Sequence, residues 1–172
     1  MRRTVISVLV TVLTAIGLIG LATPAQAIGP TCVATSQITY SPGITLTPSS
    51  QSTDYTVSFS GCLTPGRTDI VSGSRSGSFT GVRSCLSVLP PSASGTLVVT
   101  WNTGETSTVS YTADGQDVGG QTVHTINGTI TAGLFTGSSY TEVITQASLN
   151  LLSCLIPPGV QSQSGVGTLT VL

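Results

Sequence analysis

The chain has 172 residues, with five Lys plus Arg against six Asp plus Glu, one histidine and a net charge of −1. Beyond Ala27 the only cations are Arg67, Arg75 and Arg83, and lysine is absent throughout. A field this sparse excludes nucleic acid and anionic membranes as partners, because both are held by clustered positive charge.

In chain order, Met1-Arg2-Arg3 is a short positive head, Val5 to Leu21 is almost wholly apolar, and Ala25-Gln26-Ala27 offers a small-x-small cleavage site. Those parts predict a secretory signal peptide over residues 1–27 and a single secreted domain over residues 28–172. Thr11, Thr14, Gly17 and Gly20 weaken the apolar run as a membrane anchor. No later stretch is apolar enough to span a bilayer, so the expectation is an extracellular protein with no membrane contact after cleavage. Roughly a third of the residues beyond Ala27 are Ser or Thr, so neutral hydroxyls do the solvating that charges usually do.

Alternation of apolar and polar residues predicts strands over Tyr55 to Ser60, less strictly Leu97 to Trp101, and Val109 to Tyr111, with further strands expected around Val33 to Tyr40, Ser78 to Ser84, Thr122 to Thr131, Thr141 to Leu152 and Gly167 to Leu172. Turn signals separate them: Ser41-Pro42-Gly43, Thr64-Pro65-Gly66, Pro90-Pro91, Asp114-Gly115, Gly119-Gly120 and Pro157-Pro158-Gly159, with Asn102 to Glu105 as a hairpin loop. Short strands at this rhythm predict an all-β fold, an immunoglobulin-like or related antiparallel β-sandwich. Tyr140 to Leu152 also suits one helical face.

Cys32, Cys62, Cys85 and Cys154 all lie beyond the leader, and an even count in an oxidising compartment predicts two disulfides. If Val33 to Tyr40 pairs antiparallel with Asp54 to Ser60, Cys32 comes near Cys62, and by elimination Cys85 meets Cys154. SGCLTPG, RSCLSVLPP and LSCLIPPG suggest one recurring device: a strand ends at a cysteine, a corner turns the chain, and the leucine plugs an open end. GSFTG (Gly77 to Gly81) and GLFTG (Gly133 to Gly137) add a second echo.

Chemistry-bearing residues are few. With one histidine and no C-x-x-C pair, neither a metal site nor a cofactor is expected. A hydrolase would have to rest on His124, or on two of Asp54, Asp69, Glu105, Asp114, Asp117 and Glu142 acting as a carboxylate pair. Asp114 and Asp117 fall in a glycine-rich turn that is too thin in ligands for a calcium loop. Trp101 could stack on a sugar, although its parity with Leu97 and Val99 places it in a core. Trp101, Asp114 and Asp117 are therefore the weak binding candidates.

SPGITLTP (Ser41 to Pro48), GTLVVTWNTGETSTVSYT (Gly95 to Thr112), GLFTG and the terminal CLIPPGV…GVGTLTVL together resemble a group of uncharacterised small secreted β-rich proteins of high-GC Gram-positive (actinobacterial) bacteria. The resemblance covers nearly all of the chain beyond the leader. It implies secretion, a β-rich domain and a similar set of cysteines, and it brings no catalytic residues to carry over. The function expected is a non-catalytic extracellular binding or structural module, with an extracellular or cell-wall partner and a capacity for self-association. The alternatives are a small secreted hydrolase and a secreted protease inhibitor, the latter presenting Cys62-Leu63-Thr64-Pro65 or Cys85-Leu86-Ser87-Val88.

Overall fold

The computed structural model describes residues 29–86 and 92–172. The expected leader, the Pro90-Pro91 turn and Ser87-Val88 lie outside them. Eight strands follow in order: β1 (Thr31–Ile44), β2 (Ser49–Leu63), β3 (Gly73–Arg83), β4 (Ala93–Trp101), β5 (Thr106–Val118), β6 (Gln121–Gly133), β7 (Ser139–Ala147) and β8 (Val160–Val171). A short helix, α1 (Leu151–Leu155), links β7 to β8.

Each strand pairs antiparallel with the next, and β8 returns to pair with β1 from Thr31↔Thr170 to Thr39↔Ser162. The fold is therefore a closed barrel, and the expected sandwich is wrong. Alternation specifies that one face of each strand is buried, but two facing sheets and one curled sheet satisfy it equally. Only the ladder between the first and last strands decides, and nothing local encodes it.

Partners traced from Ala34 run through Phe59, Gly73, Trp101 and Glu105 in one direction, and through Gly167, Ile144, His124 and Gly115 in the other. The two routes thus reach β5 ten residues apart. That stagger tilts the strands by roughly 40°, and eight strands then enclose just enough room for side chains or one small ligand.

Several local expectations shift. β5 runs straight through Asp114-Gly115, and the turn comes at Gly119 and Gly120, with φ 58° and 79°. Ser41-Pro42-Gly43 lies inside β1. The strand expected to reach Leu152 stops at Ala147, because the Asn150 side chain accepts a hydrogen bond from the Leu152 amide and caps α1. GSFTG is a stretch of β3, whereas GLFTG is a turn in which Phe135 takes φ 62°. One pentapeptide pattern in two conformations does not support a structural repeat.

The lower end, where the described chain begins and ends, is sealed. Phe59, Val99, Trp101, Val109 and Leu169 fill the lumen, and Ile70 and Phe135 close it from the loops beneath. Trp101 is 2% exposed, donates Nε1–H to Ser107 Oγ at 2.9 Å and meets Phe135 edge to face. The leucines beside the cysteines are not plugs: Leu63, Leu86 and Leu155 are 77%, 75% and 61% exposed.

Disulfides join Cys32 to Cys62 and Cys85 to Cys154, the pairing that strand adjacency anticipates. The first ties β1 to β2 at the lower end. The second runs from the end of β3 to α1 across the upper end. Outward positions are mainly Ser and Thr, unlike the apolar band of a lipid-facing barrel. No helix among the described residues is long and apolar enough to cross a membrane.

Candidate functional site

One seam of the barrel is nearly unpaired. β3 and β4 share only the rungs Gly73↔Trp101 and Ser74↔Thr100, whereas β2 and β3 stay in register from Gly73 to Arg83. Above Ser74 no rung joins the two strands among the described residues.

Alternation along each strand tells which residues face that lumen. On β3 the inward set is Gly73, Arg75, Gly77, Phe79, Gly81 and Arg83, since Gly73 pairs with buried Phe59 and Phe79 with buried Thr53. Phe79 is nevertheless 43% exposed. Tyr55, Tyr111, Ile126 and His124, inward on β2, β5 and β6, are each half-buried. Solvent therefore reaches the upper lumen while the lower lumen is dry. At Gly81 a Cβ would meet no atom within 4 Å, so open space lies over this part of β3.

The floor of this chamber is a buried ion pair. Arg75 donates from Nε to Glu142 Oε2 at 2.8 Å and from a terminal nitrogen to Oε1 at 2.5 Å, with the two side chains only 8% and 1% exposed. Tyr140 donates its hydroxyl to Glu142 Oε2 at 2.5 Å. Burial disfavours the charged guanidinium, but the hydrogen bonds and charge of Glu142 more than offset it, and the Arg75 pKa is raised. Burial, reinforced by the Glu142 charge, holds the Tyr140 hydroxyl protonated well above its ordinary range.

A second charge stands at the rim. The Arg83 guanidinium lies 5.0 Å from the centre of the Phe79 ring. His124 has its pKa lowered, first by burial and then by the Arg83 charge, with Asp117 opposing. Tyr40 is raised by burial, and Arg83 partly offsets that. Three fully buried, inward-facing polar atoms, Ser36 Oγ, Gln51 Oε1 and Thr53 Oγ1, have no hydrogen-bond partner among the described residues.

The sequence candidates are not brought together. Trp101 sits in the sealed core at the opposite end from Asp114 and Asp117. Those two are strand residues rather than turn residues: Asp114 points outward and accepts from Ser92 Oγ at 2.6 Å, and Asp117 accepts from Thr122 Oγ1 at 2.7 Å. Asp69 and Glu105 are held by Arg67 at the lower end, and Glu142 is consumed by Arg75. His124 faces the chamber instead of open solvent, and no hydrogen bond joins it to a serine or carboxylate among the described residues. Tyr55, Arg75, Phe79, Gly81 and Arg83 were missed. The signal for them was available: every second residue of Gly73 to Arg83 is a glycine, an arginine or a phenylalanine, with serine, threonine or valine between.

A shallow, open hollow lies on the outside of β4, β5 and β6, lined by Ser94, Thr96, Ser110, Thr112, Asn127 and Thr129 among others. Its lining holds no charged residue and a single aromatic one, the half-buried Tyr111, so the chamber, with Tyr55, Phe79 and two arginines, is the better candidate. Comparison with family models, curated proteins and solved structures finds no match, and the functional reading rests on geometry.

Proposed function

We propose that this is a secreted, non-catalytic binding module that holds a small molecule in the upper half of its barrel. One observation carries the reading. Inward-facing aromatic residues keep part of their solvent exposure in the upper lumen, beside the stretch where β3 and β4 share no rungs, while the other half of the same lumen is packed solid. A folded chain gains by burying a phenylalanine side chain, about 1.5–3 kcal/mol for full burial, so one left half-open inside a barrel marks a surface kept for something else. Secretion is supported by the two disulfides and by the leader pattern. The chemistry for turnover is thin: acid–base catalysis needs a histidine or carboxylate oriented by a partner, and among the described residues no hydrogen bond orients His124.

The test is binding of the neutral fluorescent probe N-phenyl-1-naphthylamine to the purified protein. Saturable binding at one site per chain is expected, lost in Gly81→Trp, which fills the space over β3, with the thermal midpoint unchanged. Absence of saturable binding, or binding that Gly81→Trp leaves intact, overturns the proposal.

A further inference from the structure

We infer that the upper end of the barrel is the contact face of a homodimer, through an apolar patch built on α1; this stands independently of the chamber. Cys154 is the only buried residue of α1. Leu151, Leu152, Leu155 and, just after the helix, Ile156 are each more than half exposed. A helix that closed the barrel would lay its leucines against the lumen. This one turns in a cysteine, so its aliphatic side chains do not serve the core of their own chain.

The exposed residues gather at one place. Leu151 and Leu155 lie one helical turn apart on the same face, with Leu152 next to them. The Cys85–Cys154 bridge, whose Cα atoms are 6.4 Å apart, sets Leu86 and Leu155, the residues that follow each cysteine, on either side of one linkage. On the other flank the Ser148 amide donates to the Gly120 carbonyl at 3.1 Å, which holds the β5–β6 turn and its 58%-exposed Val118 near the start of the same segment. Six exposed aliphatic side chains therefore share an end of a molecule whose outer wall is mainly Ser and Thr.

Size and charge point to a second copy as the occupant. At these exposures the six side chains offer roughly 600 Å² per copy, so two patches face to face bury on the order of 1,200 Å², the lower bound for a specific and stable interface. Larger than the few hundred Å² a soluble monomer ordinarily leaves open, such a patch marks a contact site. A two-fold contact sets each patch against its own image, so a charge inside it would meet itself. Leu86 and the run from Asn150 to Pro158 include no acidic or basic side chain, and Arg83 and Asp117, the charged residues nearest in the chain to Leu86 and Val118, stand at inward positions. Self-pairing thus meets no repulsion, while an anionic membrane finds no cations in the patch to hold.

The test is analytical sedimentation of the purified protein over a concentration series reaching about 1 mM, where a monomer–dimer equilibrium with a dissociation constant of about 1–100 μM is expected. Leu152→Glu combined with Leu155→Glu, which sets carboxylates against one another across the two-fold, should weaken association at least about hundredfold and leave the thermal midpoint of the dilute protein unchanged. Val166→Glu, at an exposed valine on the outer face of β8, should leave it within about twofold. In the unmutated protein, amide protection from Leu151 to Ile156 should rise with concentration while that of the β5–β6 ladder stays constant, a readout that does not depend on any variant folding. A monomer at every concentration, a dimer that the double variant leaves intact, unchanged protection of α1 on dimerisation, or equal disruption by Val166→Glu would overturn the inference. So would cosedimentation with zwitterionic phosphatidylcholine vesicles by a protein that stays monomeric, since that would make the face a lipid-docking surface.

Discussion

Glu142 is the residue on which the interior balance turns, because it answers Arg75 where both side chains are buried from solvent. Removing one partner of a buried pair strands the other charge, which costs about 3–5 kcal/mol, whereas replacing both with apolar groups of similar volume is far milder. Glu142→Gln should therefore lower stability in urea by about 3 kcal/mol or more, and Arg75→Met with Glu142→Leu by much less than the two single changes summed. Additive losses would show that the pair is not coupled. His124 makes a prediction with a definite sign. Its folded pKa is depressed, so the folded state takes up a proton less readily than the unfolded chain, whose value is about 6.5. The stability it protects is complete above that pH and falls away as acid drives the buried ring to charge. Compared with His124→Asn, the wild-type protein should lose thermal stability more steeply below about pH 6.5 and in parallel above about pH 7.5. Equal slopes in acid would refute the assignment. These residues show what was and was not legible. The parity of Trp101 with Leu97 and Val99 told correctly of a core position, because a strand's facing is a local property. That Arg75 meets Glu142 depends on two strands 67 residues apart lying across one lumen, and no local pattern contains that.

At the scale of the strands, the sequence marks where each runs but not what lies beside it. Each of the eight overlaps an expected strand, three of them read from alternation, and the Asn102 to Glu105 hairpin fell where expected, because two-residue periodicity and turn chemistry are written within a few residues. Asp114-Gly115 misled: glycine there faces the chamber opposite His124 instead of turning the chain. The short pairing of β3 with β4 was equally hidden, and it has a measurable signature. Amides of β3 above Ser74 that point away from β2, and those of β4 before Val99 that point away from β5, should exchange with solvent about a hundredfold faster or more than the amides joining β5 to β6. Uniform protection around the ring would mean the seam is closed in solution.

Across the whole molecule, the two disulfides do different work. Cys32 and Cys62 are 30 residues apart and Cys85 and Cys154 are 69 apart, which in the chain-entropy account corresponds to about 3.6 and about 4.4 kcal/mol. The lower bridge reinforces an end already sealed by Ile70, Phe135 and Trp101. The upper bridge anchors a strand paired along its length on the β2 side alone: the Cys85 amide donates to the Thr45 carbonyl at 2.9 Å, and the disulfide fixes the same point to α1. Replacing Cys85 and Cys154 by Ser should therefore cost more stability than replacing Cys32 and Cys62, and should alone weaken probe binding. The opposite order, or equal effects on binding, would show that the upper bridge does not shape the chamber. Charge is also placed by end and by face. The outward wall carries Asp54 and Asp114, while Arg75, Arg83, Asp117, His124 and Glu142 stand at inward positions.

A ring whose circumference is fastened at one joint by two rungs, and elsewhere by long ladders, behaves like a collar with a clasp. On the proposed binding reading, guests of different girth would be admitted by parting that clasp alone, while the long ladders hold the remainder. The same joint makes the collar's bore adjustable: a pair of β-branched residues added where β3 and β4 share no rungs would draw it tight and shut out the bulkier guests first.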